Sequence, residues 1–312
     1  MAPAPLRAAA AVYAAGALGR GNWVLHQSPA EPAGARCVVF FPGDISDFAA
    51  AGGDRRTSLE ALTGLMGRRF PSDHVLTVRA ASVENGLASY SNFVHTDRYG
   101  FPLGRARTPG GQWPSTTRQP ALGHLRGLLQ SAGRELGWNF GCLSLVLVGF
   151  SKGGVPLTAL LQAAAAAEGE EDGALAGVLQ RLQAVHYVDV GLPVPGAYPL
   201  TLEELRILRE RLGPDFELYV HGTPRQWGDP SRRFLSREAE ALVQHARAAG
   251  LRVHCFEYGA GEARSLALHF DSLACFRRWP GDLEAGDQWL GSFEAGWPAE
   301  PPRSDSEGRA RA

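Results

Sequence analysis

A serine lies in a glycine-flanked turn between an apolar strand pattern and a helical pattern. The apolar run Leu143–Val148 leads into the motif GFSKG at 149–153, and a helical pattern begins directly after it. This is the GxSxG spacing of a nucleophile elbow, in the strand–turn–helix context that the motif requires. The spacing predicts that Ser151 is a nucleophile. The alternative is a glycine-rich turn that binds a phosphate at a helix N-terminus, for which the GxGxxG and Walker spacings are missing.

A serine hydroxyl needs a general base, and the order of the chain restricts the candidates for this base. In proteins with this elbow the order is nucleophile, then Asp or Glu, then His. His269 follows the last strand pattern after a loop rich in Gly and Ala, which is the position expected of the base. The other histidines after Ser151 lie inside strand or helical patterns and are predicted to be structural: His186, His221, His254 and His245.

Two aspartates follow strand patterns in the interval where the acid is expected. Asp229 lies in the loop HGTPRQWGDP after the second-last strand, and Asp189 lies near the end of the strand before that one. The fold usually carries its acid after the second-last of these strands, so the sequence favours Asp229, with Asp189 as the alternative acid. Asp229 could instead cap the next helix, since Asp before Pro is common in that role.

An oxyanion hole requires two backbone N–H donors. The first is expected from Lys152, the residue after the nucleophile. The second is expected from the loop Phe41-Pro42-Gly43-Asp44, where Gly43 and Asp44 are equally good candidates. The Asp44 carboxylate could also bind a cationic substrate group or pair with Lys152.

Short apolar runs alternate with helical patterns, which predicts βαβ units and a mostly parallel sheet. The inner runs are continuously apolar, as in strands covered by helices on both faces. Together with the elbow they predict the α/β-hydrolase fold. The expected strands are Cys37–Phe41, His74–Val78, Leu143–Val148, Val185–Val190, Leu218–His221 and Arg252–Tyr258, with Trp23–His26 as a possible antiparallel edge. The expected helices are Thr57–Arg69, Leu122–Leu136, Leu157–Leu182 (broken near Gly169–Gly173), Leu202–Leu212 and Ser236–Ala249.

Three segments lie outside this α/β pattern. Residues 1–30 contain Arg7 and Arg20 but no acid, which suggests either a targeting segment or an N-terminal helix. Within the main domain, 31–297, the segment Ser82–Thr117 is rich in Gly, Pro, Ser and aromatic residues and is expected to form a lid or a loop insertion. The tail, 298–312, is expected to be disordered.

The composition excludes several classes of protein. A formal net charge of −1 gives no field that would attract nucleic acid. The four cysteines form no CxxC pair, and no apolar run has the roughly 20 residues of a membrane span. We therefore expect no metal, no cofactor, no nucleic-acid partner and no integral membrane segment. The sequence does not indicate any protein partner. Arginine supplies all the basic residues except Lys152.

Several motifs together resemble one known family. They are FFPGD at 40–44, LVGFSKG at 147–153, VDVG at 188–191, HGTPRQWGDP at 221–230, YSNFV at 90–94 and HF at 269–270. They resemble an uncharacterised vertebrate family of α/β-hydrolase-like proteins that is named after a human chromosome-2 open reading frame. The resemblance extends from Val38 to about Phe270. It implies a mitochondrial protein with a contribution to respiratory function, and it places Ser151, Asp229 and His269 at the family's proposed triad positions.

Two functions fit these observations. The first is a serine hydrolase that cleaves a small-molecule ester or thioester through an acyl-enzyme, with mitochondrial lipid or respiratory metabolism as the expected context. The second is a catalytically inactive hydrolase fold that serves for binding or as a scaffold in mitochondria. A cytoplasmic location is the alternative to the mitochondrial one.

Overall fold

In the part of the chain that the structure describes, ten strands form one large sheet and one hairpin. The computed structural model describes residues 9–30, 36–51, 56–103, 121–167, 173–279 and 282. Its strands are β1 Ala10–Ala15, β2 Gly21–Gln27, β3 Arg36–Phe41, β4 His74–Val78, β5 Ser82–Glu84, β6 Leu87–Ser89, β7 Ser144–Phe150, β8 Leu182–Val188, β9 Glu217–Gly222 and β10 Arg252–Glu257. Strands β5 and β6 pair only with each other, and the other eight form the sheet.

The large sheet is mostly parallel. Its order is β1-β2-β4-β3-β7-β8-β9-β10, in which β2 runs antiparallel to both β1 and β4. All pairs from β4 to β10 are parallel. The carboxyl ends of the parallel strands therefore meet at one edge of the sheet, which is where ligands bind in open α/β folds.

Helices cover both faces of the sheet. The helices are α1 Leu59–Arg69, α2 Ala121–Leu136, α3 Gly154–Ala166, α4 Gly173–Gln180, α5 Leu202–Arg211, α6 Pro224–Trp227, α7 Phe234–Ala248 and α8 Leu266–Cys275. Side chains from α2, α3, α5 and α7 pack with Val39 on one face, and those from α1 and α8 pack with Val38 on the other. Because successive residues of a strand point to opposite faces, β3 contributes to both cores.

The predicted strands and helices are present at the expected places, with ends that differ by a few residues. The helical pattern Leu157–Leu182 is divided into α3 and α4, and its last residue opens β8. Of the two alternatives for residues 1–30, the N-terminal helix is wrong in the described part, because Ala10–Ala15 form a strand. The Trp23–His26 run is antiparallel as expected, but β1 lies outside it at the edge of the sheet.

The segment Ser82–Thr117 is packed against the core over its first part. It begins with the β5–β6 hairpin, and the side chains of Tyr90 and Phe93 are buried beside Phe41. The Tyr90 hydroxyl also donates a hydrogen bond to the Pro42 carbonyl at 2.6 Å. Residues 104–117 of the predicted lid and the predicted tail, 298–312, lie outside the described residues.

Candidate active site

Ser151 lies in a sharp turn between β7 and α3. Residues Ser151–Gly153 form a single 3-10 turn, and α3 begins at Gly154. The φ angle of Ser151 is 53°, in the left-handed region. This conformation costs an L-residue about 1–2 kcal/mol. Strained backbone of this kind persists where the surrounding structure enforces it, and it projects the serine from the carboxyl edge of the sheet.

The two glycines of the motif are required by close backbone contacts. A Cβ atom at Gly149 would lie 2.5 Å from the Gly153 carbonyl oxygen. A Cβ atom at Gly153 would lie 1.9 Å from the Phe41 carbonyl oxygen. Both distances are shorter than real Cβ contacts, so strand, turn and helix can pack this closely only with glycine at both positions. The strand–turn–helix geometry predicted from the spacing is therefore present.

His269 lies near the start of α8, beside the elbow. The Ser265 side chain accepts a hydrogen bond from the Leu268 N–H and so caps the first turn of this helix. The His269 ring is buried and stacks on Phe150, the residue before Ser151, with ring centroids 4.4 Å apart. Its Nδ1 lies 2.6 Å from Asp189 Oδ2. An ionised carboxylate only accepts hydrogen bonds, so Nδ1 carries the hydrogen and Nε2 is the nitrogen that can accept a proton.

Asp189 is fully buried immediately after β8, with a φ of 42°. Its N–H donates to the His221 carbonyl at 2.8 Å. Its Oδ1 accepts from the Thr223 N–H at 2.8 Å, and its Oδ2 accepts from the Thr223 hydroxyl at 2.9 Å as well as from His269. Thr223, which sequence reasoning missed, therefore orients the carboxylate that contacts the histidine.

Asp229 does not occupy the position that the sequence favoured. Its carboxylate accepts from the Ser231 N–H at 3.0 Å and the Ser231 hydroxyl at 2.7 Å. It also pairs with Arg232 at 2.8 Å and Arg264 at 2.6 Å. Burial opposes ionisation of Asp229, but the hydrogen bonds from Ser231 and Arg232 prevail and hold its pKa well below the ordinary value.

The favoured placement of Asp229 against His269 is thus wrong, and the alternative, Asp189, makes that contact. Asp229 is not the cap of the next helix either, because the N-cap of α7 is Arg233. Both aspartates follow parallel strands, so their order in the chain could not separate them. A signal in favour of Asp189 was the Thr223-Pro224 pair at the start of α6. It places a threonine beside the end of β8, where Thr223 donates to the Asp189 carboxylate.

The loop after β3 lies directly against the elbow. A Cβ atom at Gly43 would be 2.7 Å from the Ser151 Cβ and 3.2 Å from its Oγ. Asp44 is bound from two sides, because its Oδ1 accepts from the Ala88 N–H at 2.7 Å and from Lys152 Nζ at 3.0 Å. The pairing of Asp44 with Lys152, one of the alternatives from the sequence, is present in the structure.

The Lys152 side chain is buried, with 1% of its surface exposed. Besides Asp44, its Nζ donates to the Tyr99 carbonyl at 2.7 Å and lies 4.6 Å from the centre of the Phe101 ring. Lys152 thereby ties the described end of the Ser82–Thr117 segment to the elbow. No sequence pattern indicated the contacts with Tyr99 and Phe101.

Two of the histidines predicted to be structural, His186 and His221, are fully buried. His186 Nδ1 lies 3.3 Å from His221 Nε2, and His221 Nδ1 lies 2.9 Å from the Tyr258 hydroxyl. Desolvation is the main cause that lowers the pKa of His186 to about 3 and that of His221 well below its ordinary value. Both rings are therefore neutral near pH 7, as expected of buried side chains.

The described residues contain neither a cluster of metal ligands nor a membrane-spanning helix. No group of three or more His, Cys, Asp or Glu side chains there is arranged to hold a metal ion. In the same part of the chain, we find no helix with the length and apolar character that crossing a membrane would require.

The sheet order, the left-handed serine turn after β7 and the helices on both faces define an α/β-hydrolase fold. The C2orf69 family model matches residues 11–140 and 132–252, and the chain belongs to this family. The match begins nearer the N-terminus than the motif resemblance did. It includes Ser151, Asp189 and Asp229, and it ends before His269.

The chain is also similar to named relatives and to solved structures. The chain is 28% identical over 256 residues to the "Mitochondrial protein C2orf69 homolog" of Danio rerio, which covers 75% of this chain and 71% of that protein. It is 23% identical over 292 residues to the Mus musculus protein of the same name, covering 75% and 76%. Similar solved structures include the esterase Est22 (TM-score 0.48, 13% identity, 87% of this chain and 78% of that one) and the thermostable carboxylesterase EstE1 (TM-score 0.48, 11% identity, 86% and 87%).

Proposed function

We propose that the protein is a serine hydrolase that cleaves an ester or a thioester through an acyl-enzyme. The observation that carries the proposal is the buried 2.6 Å contact between His269 Nδ1 and Asp189 Oδ2, beside a serine in a left-handed turn. A histidine oriented by a carboxylate is the base that a serine hydroxyl requires. The stacking of His269 on Phe150 supports the proposal, because Phe150 is bonded directly to Ser151.

The proposed reaction has two halves. In the first, His269 Nε2 takes the Ser151 hydroxyl proton while Oγ bonds to the substrate carbonyl carbon, and Asp189 stabilises the imidazolium that forms. His269 then gives the proton to the leaving alcohol or thiol, and the acyl group stays on Ser151. In the second half, water gives a proton to His269 and attacks the acyl carbon. The bond between this carbon and Ser151 Oγ then breaks, His269 returns the proton to Oγ, and the acid is released.

The negative charge that develops on the carbonyl oxygen needs donors close to Ser151. The Lys152 N–H and the N–H of Gly43 or Asp44 are the proposed donors. The side-chain ties of Asp44 to Ala88 and Lys152 support this role, because they hold the loop against the elbow before substrate arrives. Preorganised donors of this kind stabilise a transition state without reorganising during the reaction.

A mitochondrial location belongs to the same proposal. The Danio rerio and Mus musculus relatives are both named mitochondrial proteins. Fractionation of cells that express the tagged full chain tests it. Recovery in the cytosolic fraction alone would contradict a mitochondrial role.

A fluorophosphonate probe tests the chemistry, because it labels an activated serine. The wild-type protein should be labelled and Ser151→Ala should not, while both melt at similar temperatures. Ser236→Ala, on α7, is the matched control and should be labelled like the wild type. Labelling of Ser151→Ala at the wild-type level would refute the nucleophile. An unlabelled wild-type protein that is folded would favour the inactive, binding form of this fold.

A further inference from the structure

Two arginines converge on the Asp229 carboxylate, and a third lies close to them in the short helix α6. Arg232 and Arg264 both contact Asp229 Oδ2, at 2.8 and 2.6 Å. Arg225 is the third, since its carbonyl oxygen accepts from the Arg232 guanidinium at 3.4 Å. Burial and then the charge of Arg232 lower the pKa of Arg225, with a smaller effect from Arg264. The Arg225 backbone thus lies against the Arg232 guanidinium, which Asp229 binds together with Arg264.

The carboxylates near this arginine cluster, Arg225, Arg232 and Arg264, are fewer than its positive charges. The Asp229 carboxylate already binds Ser231 and two of the arginines. The Asp189 carboxylate binds Thr223 and His269. Within the described part of the chain, the Arg225 guanidinium makes no hydrogen bond or ion pair. The cluster therefore has donors and positive charge left for a ligand.

The cluster lies on the same edge of the sheet as the candidate active site. Arg225 is two residues after Thr223, the residue that orients Asp189. Arg264 directly precedes Ser265, the cap of the helix that carries His269. Arg225 and Arg264 follow β9 and β10, which run parallel to β8. The Arg264 side chain is 41% exposed and Arg225 is half-buried, so both can be reached from solvent.

We infer that Arg225, Arg232 and Arg264 bind a phosphate group carried by the acyl substrate. This inference rests on the proposed function and narrows its substrate class to a phosphate-bearing ester or thioester. Guanidinium groups match phosphate because their planar donors form paired, charge-assisted hydrogen bonds with it. Acyl thioesters of coenzyme A and acyl esters of glycerol phosphate share this chemistry. The competing role for Arg225 is to balance the charge of Asp189.

Binding of inorganic pyrophosphate tests the cluster without any turnover. Calorimetric titration should show binding to the wild-type protein and to Ser151→Ala. Arg225→Gln should weaken binding about tenfold to a hundredfold, the effect of removing one charge-assisted contact. Arg225→Lys should keep part of the affinity, because it keeps the charge but not the planar donors. Arg206→Gln, an exposed arginine on α5, is the control and should bind like the wild type.

Matched substrates then test the link to chemistry. Butyryl coenzyme A is compared with S-butyryl-N-acetylcysteamine, and oleoyl glycerol phosphate with oleoyl glycerol. The measured quantity is the preference for phosphate, which is kcat/KM for the phosphorylated substrate divided by kcat/KM for its neutral counterpart. For one of these pairs, Arg225→Gln should lower this preference about tenfold or more, mainly by raising KM for the phosphorylated substrate. The pair that responds identifies whether the phosphate belongs to a coenzyme or to a lipid.

The outcomes separate this inference from the proposed function. Probe labelling of Ser151 with no pyrophosphate binding, or with binding equal in the wild type and Arg225→Gln, overturns the phosphate site and leaves the hydrolase proposal intact. An equal loss for both members of each pair assigns Arg225 to support of Asp189 and also overturns the inference. Pyrophosphate binding that depends on Arg225, in a protein that the probe does not label, supports the phosphate site and refutes the hydrolase.

Discussion

Replacing Asp189 with Asn changes one oxygen of the proposed acid into an amide group while keeping its size. Asn tolerates a left-handed backbone, so the φ of 42° at this position adds little cost. In one orientation, the amide oxygen still accepts from the Thr223 N–H and the NH₂ group faces His269. In the other, the NH₂ group faces the buried Thr223 N–H, and two donors oppose each other.

The hydrogen bonds of Asp189 decide between these orientations. A buried donor without an acceptor costs about 1–3 kcal/mol, so the first orientation is favoured by about fivefold to more than a hundredfold. In that orientation His269 Nδ1 must accept a hydrogen bond, which leaves the hydrogen on Nε2. Nε2 can then no longer take the Ser151 proton. With the loss of carboxylate support for the imidazolium, we expect acylation to slow by about 10⁴-fold, as in other triads.

The assay is the second-order rate of labelling by a fluorophosphonate, with melting curves to confirm folding. Asp189→Asn should unfold with a free energy about 1–3 kcal/mol lower than the wild type, because the Thr223 and His269 contacts are weakened. Asp229→Asn is the matched control. It weakens the contacts of Asp229 with Ser231 and the arginines but leaves the His269–Asp189 contact in place. The labelling rate of Asp229→Asn should therefore stay at least about 100-fold above that of Asp189→Asn. If Asp229→Asn is folded and is the slow variant, the assignment of Asp189 is refuted.

Two further predictions concern the elbow. A lysine-specific protease should leave the native protein uncut, because Lys152 is the one lysine of the chain and is buried. The same protease should divide the denatured protein into two pieces. Rapid cleavage of the native protein would contradict the burial of Lys152. Gly43→Ala should slow probe labelling by about 100-fold or more, since its Cβ would lie 2.7 Å from the Ser151 Cβ and displace the proposed oxyanion donors. Gly177→Ala, where a Cβ meets no atom within 4 Å, is the control, and an equal loss in both variants would refute the close-contact argument.

The central strands could be predicted because burial on both faces leaves a continuous apolar run in the sequence. The prediction for His74–Val78 agrees with β4, and β3, β7 and β9 begin or end within two residues of their predicted limits. The N-terminal strand could not be predicted in this way. Its residues, AAVYAA, include four alanines, and they form a strand because β2 offers an antiparallel partner. Pairing with a neighbour overrides weak local preference.

In the candidate site too, features set by residues close in the chain could be predicted, whereas contacts between distant residues could not. By itself, the sequence determined the GxSxG turn and the order of nucleophile and histidine, because these depend on residues close in the chain and on their spacing from strands. Only the tertiary structure decided that Asp189, 80 residues before His269, is the carboxylate in contact with it. It also decided that Lys152 turns inward to Asp44 and Tyr99. Such contacts depend on which loops meet at the carboxyl edge of the sheet. The composition and periodicity of the sequence do not determine which loops become neighbours.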